Sequence, residues 1–167
     1  MRFSSLLAVC AAFAASAALA QTPAPIPAPA PLPYGVAITL DQAKKAMLAA
    51  EAEARKNNWN VAIVVVDSGG HMVAMQRLDG TQIASIDIAK GKAVTANNYR
   101  RPTKALEDAV AGGGAGLRLL AVPGIMPLEG GVLVTADGKI IGAIGVSGVL
   151  SAQDAQVARA GAEAAIK

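Results

Sequence analysis

The side chains that could ligate a metal are few and stand mostly in the middle of this 167-residue chain. His71 is the only histidine, and a neutral imidazole nitrogen is a common metal ligand. Tyr99 precedes two arginines, and a cationic neighbour favours the phenolate form that binds ferric iron. Met72, Met75 and Met126 carry thioether sulphurs, although strand methionines more often pack in a core. His71 and Tyr99 also fit ordinary positions, in a hairpin turn and at a helix end.

A second group of polar residues lies between positions 77 and 90. It comprises Arg77, Asp79, Ser85, Asp87 and Lys90. Asp87 and Lys90 are three residues apart on a predicted helix, so they can form an ion pair. Arg77 and Lys90 could hold the carboxylate of a ligand, and they would equally suit a salt-bridged helix surface or a subunit interface. Because a short connection separates the strand from the helix, we expect these polar groups to converge.

Several familiar kinds of site are absent from the sequence. The glycines at 112–116 lack the spacing of a phosphate-binding loop and its Lys-Ser/Thr ending. The run 145–148 does not have the register of a G-x-S-x-G nucleophile elbow. The basic residues are scattered rather than arranged in a stripe with aromatics, which argues against nucleic acid as a partner. Without a nucleophile–base pair the sequence proposes no reaction, and it favours a binding protein over an enzyme.

The N-terminus has the pattern of an export signal. Arg2 is followed by an apolar run that ends in the small-x-small triplet Ala18-Leu19-Ala20, so residues 1–20 are predicted to be a cleaved signal peptide. The only cysteine, Cys10, would leave with it, and the mature protein would then have no thiol. We therefore expect a periplasmic or secreted protein with no stable membrane insertion.

The remaining chain divides into a linker and one domain. Residues 21–34 are rich in proline and alanine, which is typical of an extended, solvated spacer. Residues 35–167 have the length of a single domain. Of the 15 basic residues, 14 remain once Arg2 is lost, against 12 acidic residues, so the mature chain is nearly neutral.

Within the domain the order of predicted elements is helix, hairpin, two helices, hairpin, helix. Such hairpins make a mostly antiparallel sheet of four or five strands with helices packed on it, an α/β (α+β) architecture. Glycines in the last predicted strand imply close approach by another backbone or a ligand. The segment 117–122 suits either a strand or a helix. Three helix starts have capping signals: Thr39 with Gln42, Thr103, and Ser151 with Asp154. A β-branched run over 61–66 and a strand over 71–76 form the first hairpin, and Asp137-Gly138 is the turn of the second. The helix over 85–98 has a buried stripe of Ile86, Ala89, Ala93 and Ala96.

The motifs in this order resemble the GlcG/HbpS-like family, which is related to the C-terminal domain of PduO. The motifs are Val64-Val65-Val66-Asp67-Ser68-Gly69-Gly70-His71, Arg77-Leu78-Asp79-Gly80, Lys90-Gly91-Lys92-Ala93, Val122-Pro123-Gly124, Gly130-Gly131 and Ile141-Gly142-Ala143-Ile144-Gly145. The resemblance implies a five-stranded antiparallel sheet flanked by helices, with some likeness to profilin. It also implies assembly into dimers or larger homo-oligomers, and haem binding in some members.

The resemblance leads to a specific functional expectation. We expect an exported, non-catalytic haem-binding protein with a sensing or uptake role; the alternative is a binding module for a small carboxylate metabolite linked to glycolate-type metabolism. His71 is the candidate axial ligand of the haem iron, and Tyr99 is a weaker one. The expected ligand-binding set is Arg77, Asp79, Ser85, Asp87, Lys90, Pro123, Gly124, Gly130 and Gly131, of which the last four are placed there by resemblance alone.

Overall fold

A computed structural model describes residues 30–167. The predicted signal peptide and most of the predicted linker therefore lie outside the described residues. Four helices, one 3₁₀ segment and four strands follow one another along the described chain. They are α1 (Leu40–Lys56), β1 (Ala62–Asp67), β2 (Met72–Arg77), α2 (Ser85–Tyr99), α3 (Lys104–Ala111), the 3₁₀ segment (Gly114–Ala121), β3 (Gly131–Ala136), β4 (Lys139–Ser147) and α4 (Ser151–Ala164).

The four strands form one antiparallel sheet in the order β2-β1-β4-β3, so the two hairpins meet through β1 and β4. The expected mixed α/β architecture is confirmed, whereas the expectation of five strands is wrong for residues 30–167. The ambiguous segment 117–122 lies largely within the 3₁₀ segment, which contains no buried residue. Its leucines do not join either edge of the sheet.

Helices cover both faces of the sheet. On one face α1 and α4 pack on each other and on the strands, and their apolar stripes meet the β1 side chains Ile63 and Val65. On the other face α2 packs on β4, β1 and β3. At Gly145 an ideal Cβ would stand 2.1 Å from the carbonyl oxygen of Ala89, so α2 lies at backbone distance from β4. The predicted close approach of a backbone to this glycine is confirmed.

The first helix follows its local signals closely. The Thr39 hydroxyl accepts from the Gln42 amide at 3.2 Å, and the Gln42 side chain accepts from the Thr39 amide at 2.9 Å. This reciprocal pair is the predicted capping box. The predicted alanine-rich stripe is buried, as is Met47. The sequence therefore determined both the start of α1 and the face that enters the core.

Other helix ends differ from the sequence prediction. Thr103 precedes α3 but makes no side-chain cap; its hydroxyl accepts instead from the Gly131 amide at 2.9 Å. Ser151 is the first residue of α4 rather than its cap, and Asp154 is turned toward α2. In α2, Ile86 is only half-buried. The side of α2 that packs on the sheet carries its alanines and not its isoleucines.

The end of the predicted linker is attached to the domain. The Gly35 amide donates to the Ile140 carbonyl at 2.7 Å, and the Ile140 amide donates to the Pro33 carbonyl at 2.9 Å. The Tyr34 hydroxyl donates to the Asn97 carbonyl at 2.9 Å, at the C-terminal end of α2. Within residues 30–167 no helix combines the length and the apolar character needed to span a membrane.

Candidate functional site

One face of the edge strand β2 is open to solvent. Met75 pairs with Val64 and Met72 pairs with Val66, and both valines point into the core beneath α2. Paired residues share a face of the sheet, so both methionines lie on the side that α2 occupies. Because α2 packs on the other three strands, Met72 remains 55% and Met75 41% exposed. Arg77, two residues after Met75, lies on the same side and is exposed.

We call Met72, Met75 and Arg77 the β2 face. One stripe of α2 borders it. Asn97 belongs to this stripe and donates from Nδ2 to the Ser68 carbonyl in the β1–β2 turn at 3.1 Å. Lys90 lies seven residues before Asn97, which is almost two helical turns. It is therefore on the same side of α2, the side that faces the β1–β2 hairpin.

Arg77 and Lys90 are both exposed, and neither forms an ion pair within residues 30–167. The expected pairing of Asp87 with Lys90 is not present among these described ion pairs. The ammonium and guanidinium groups therefore have no ionic partner among the described residues, and their role in binding a ligand stays a prediction.

His71 lies at the opposite end of β2 from Arg77. The Asp67 carboxylate accepts from the amides of Gly69 and His71, each at 2.9 Å, and so closes the β1–β2 turn. The imidazole lies beside Gly69, where an ideal Cβ would stand 3.1 Å from the His71 Cδ2. The histidine is exposed, yet it stands a full strand length from the arginine with which it was expected to converge.

The remaining polar residues near the start of α2 are in dissimilar environments. Ser85 is fully buried, and its hydroxyl stands 3.4 Å from that of Ser147 on β4. Asp87 is exposed on the helix surface. Asp79 is also exposed, and it lines a cavity of about 290 Å³ together with Arg55 and Trp59. These groups share one end of the sheet but do not line one pocket.

Tyr99 ends α2 and is half-buried. Its cationic neighbour Arg100 turns away to the ring of Tyr34, with 5.7 Å between the guanidinium carbon and the ring centroid. Arg100 thus makes a cation–π contact with Tyr34. The sequence had suggested that it would lie beside Tyr99.

The loop from Pro123 to Gly131 lies on the far side of α2 from the β2 face. The Met126 amide donates to the Thr95 hydroxyl at 2.8 Å, which ties this loop to α2. Its end at Gly131 begins β3, the opposite edge of the sheet, about 14 Å from β2 at the usual strand spacing. Pro123 and Gly124 are exposed, whereas Gly130 and Gly131 are buried. Within one subunit α2 therefore separates this loop from Arg77 and His71.

Sequence reasoning missed a buried ion pair between α2 and α4. Lys92 Nζ lies 2.7 Å from Asp154 Oδ2, and each side chain is only 2% exposed. The other carboxylate oxygen accepts from the Val149 amide at 3.2 Å. Burial raises the pKa of Asp154 above its usual value, against the opposing effect of the Lys92 hydrogen bond.

The paired glycines make room for this ion pair. An ideal Cβ on Gly130 would stand 2.8 Å from Lys92 Nζ, and one on Gly131 would stand 2.4 Å from the Lys92 carbonyl oxygen. The two glycines are therefore explained by packing against α2. The available signal was the position of Lys92 between Ala89 and Ala96 on the alanine face of the helix.

Comparison with known proteins assigns the family. The model of the family described as haem-degrading protein HbpS-like matches residues 38–163. This chain belongs to the HbpS-like family. The resemblance inferred from the motifs is thereby confirmed.

HbpS-like relatives match the domain closely in sequence and structure. GlcG of Escherichia coli K12 is 44% identical over 112 residues, which are 67% of this chain and 82% of that protein. A double mutant of HbpS from Streptomyces reticuli is 37% identical with a TM-score of 0.71, over 84% of this chain and 97% of that chain. A PduOC–haem complex is 27% identical with a TM-score of 0.70, over 77% and 95% of the two chains.

Proposed function

We propose that this protein binds haem. The observation that carries the proposal is the match of residues 38–163 to the HbpS-like family, together with the similarity to a PduOC–haem complex at a TM-score of 0.70. Haem is an apolar macrocycle with two carboxylates and a central iron. A protein that binds it needs an accessible apolar surface, cationic groups for the carboxylates and a side chain that can ligate iron.

The residues of this chain fit those requirements. The β2 face presents two accessible thioethers beside an unpaired guanidinium. Lys90 adds a second unpaired cation on the adjacent stripe of α2. His71 offers an exposed imidazole at the end of the same hairpin. When bound, haem would supply an iron centre that can exchange electrons or bind small ligands.

The proposal includes export and a role in haem sensing or uptake. The pattern of residues 1–20 supports cleavage after Ala20 and release into the periplasm or the medium. Intact-mass measurement on exported protein should show the loss of residues 1–20, and a retained N-terminus would refute this part. We also propose a homo-oligomer; light scattering that gave a monomer mass at micromolar concentration would contradict it.

A hemin titration tests haem binding directly. The exported form should saturate with hemin at a fixed stoichiometry and shift the Soret band from that of free hemin. Binding should also raise the unfolding temperature, because a ligand that binds only the native state stabilises it according to its occupancy. Absence of both changes at stoichiometric hemin would refute haem binding.

The description of the family supports haem turnover as a second candidate. Air and a reductant such as ascorbate, added to the hemin complex, separate the two functions. Catalase, added to remove the peroxide that destroys haem in any binding protein, makes the test specific: a binding protein then keeps its Soret absorption, whereas an enzyme that degrades haem still loses it.

The unpaired cations support a small carboxylate as an alternative ligand. Arg77 and Lys90 have no ionic partner within the described residues, and either can form charge-assisted hydrogen bonds with a carboxylate. A thermal-shift screen of organic acids in parallel with hemin discriminates between the ligands. Stabilisation by one acid and none by hemin would favour the alternative.

A further inference from the structure

We propose that haem lies on the β2 face, with the Met75 thioether as an iron ligand and with Arg77 and Lys90 bound to the propionates. This inference rests on the proposed function and names its site. It assigns the iron to a methionine rather than to the single histidine, which residue type alone would favour.

A β-bulge creates the methionine surface. Residues three apart on a regular strand point to opposite faces, so Met72 and Met75 would normally be split between the core side and the solvent side. The register between β1 and β2 shifts at Val65 and Val66, which leaves Val73 as the extra residue. Bulges of this kind re-aim side chains. Here the bulge turns both thioethers toward the side that α2 only partly covers.

The two methionines form a surface suited to a flat apolar ligand. Both are well exposed, at 55% for Met72 and 41% for Met75. Methionine side chains are flexible and polarizable and make favourable contacts with aromatic rings. A macrocycle with its iron over Met75 would extend across Met72 in one direction and toward Arg77 in the other.

The positive charges beside the β2 face are complementary to the carboxylates of haem. Arg77 follows Met75 by two residues on the same side, a distance of about 7 Å along the strand. Lys90 approaches from the bordering stripe of α2. The nearby carboxylate of Asp79 lines the separate cavity with Arg55 and Trp59, and it forms no ion pair with Arg77.

The other candidate iron ligands lie outside this arrangement. The His71 ring lies against Gly69 in the turn, at the far end of the strand from Arg77. Met126 lies across from Gly91 on the loop side of α2. Tyr99 ends α2 near Arg101, which bonds its carbonyl. The length of β2 therefore separates His71 from Arg77, and helix α2 separates Met126 from the β2 face.

Spectroscopy of single variants tests the assignment on the exported chain. Met75→Leu keeps the apolar surface but removes the sulphur, so it should shift the Soret and visible bands of the hemin complex. Arg77→Ala should keep the spectrum and weaken hemin binding about tenfold, since it removes one charge-assisted contact. Met47→Leu, in the core, and Lys139→Ala, in the β3–β4 hairpin, are matched controls and should change neither property.

The outcomes separate the site from the function. Normal hemin binding and an unchanged spectrum in Met75→Leu would overturn the β2 face while leaving haem binding intact. A changed spectrum in His71→Ala, with an unchanged spectrum in Met75→Leu, would overturn it in favour of the histidine. Failure of the unsubstituted protein to bind hemin would overturn the proposed function itself, and the site with it.

Discussion

Removal of one partner of the buried ion pair should destabilise the domain severely. Lys92→Met replaces the ammonium with an apolar group and leaves Asp154 2% exposed, with its charge unpaired. One oxygen would keep its bond from the Val149 amide, and the other would lose its only hydrogen bond from a side chain. Breaking a buried pair in this way costs about 3–5 kcal/mol.

That cost is large against the stability of a domain of this size. Small domains unfold with about 5–15 kcal/mol, so Lys92→Met would remove between about a fifth and all of the total. The corresponding fall in unfolding temperature is roughly 10–20 °C. Urea unfolding followed by the fluorescence of Trp59, the only tryptophan, measures the change directly.

A double variant distinguishes the penalty of the orphaned charge from loss of packing. Lys92→Met with Asp154→Leu removes both charges, so most of the lost stability should return. The matched control is Lys104→Met, which removes a surface pair with Asp108 and should change the stability little. Acidic buffer provides a second check, because protonation of the lone Asp154 neutralises it. Burial raises the pKa of Asp154 in the folded state above its value in the unfolded chain. The stability lost in Lys92→Met is therefore present above the unfolded pKa of Asp154, and it shrinks as the pH falls through the folded pKa.

The reasoning would be refuted by either of two results. A loss of less than about 1 kcal/mol in Lys92→Met would mean that Asp154 reaches water or another partner. A double variant as unstable as Lys92→Met alone would mean that the lysine stem, and not the charge, holds α2 to α4.

Further predictions concern two glycines, Thr103 and the carboxylate of Glu51. Gly131→Ala would place a methyl 2.4 Å from a backbone oxygen of α2 and should cost about 2–3 kcal/mol in urea unfolding, whereas Gly138→Ala, which meets no atom but has a φ of +70°, should cost about 1 kcal/mol. Thr103→Val removes the buried acceptor of the Gly131 amide and should cost about 1–3 kcal/mol in the same assay; a neutral result would show that water replaces the hydroxyl. The hydrogen bond from Gln76 holds the pKa of Glu51 below its usual value, so ionised Glu51 stabilises the fold above the ordinary glutamate pKa, and this stability is lost as the pH falls through the folded value. Glu51→Gln should therefore show a shallower loss of stability in acid, and an acid-unfolding curve parallel to that of the unsubstituted protein would contradict this.

Local sequence signals determined much of the fold. The capping box at Thr39 needs only residues within one turn, and the hairpin turn at Asp137 needs only the next glycine. For this reason both elements could be predicted without knowledge of the rest of the chain. The family could also be recognised from the sequence, because its motifs are short contiguous runs in a fixed order.

Long-range packing decided the site. Whether Met72 and Met75 share a face depends on a bulge in the pairing of β1 with β2, which no local pattern encodes. The partner of Lys92 lies 62 residues away on a helix across the sheet. The loop at Pro123 was predicted to join the hairpin residues, yet α2 stands between them. Such relations arise from strand register and helix placement, which the whole core determines at once, so only the tertiary structure shows which polar and sulphur-bearing side chains lie together.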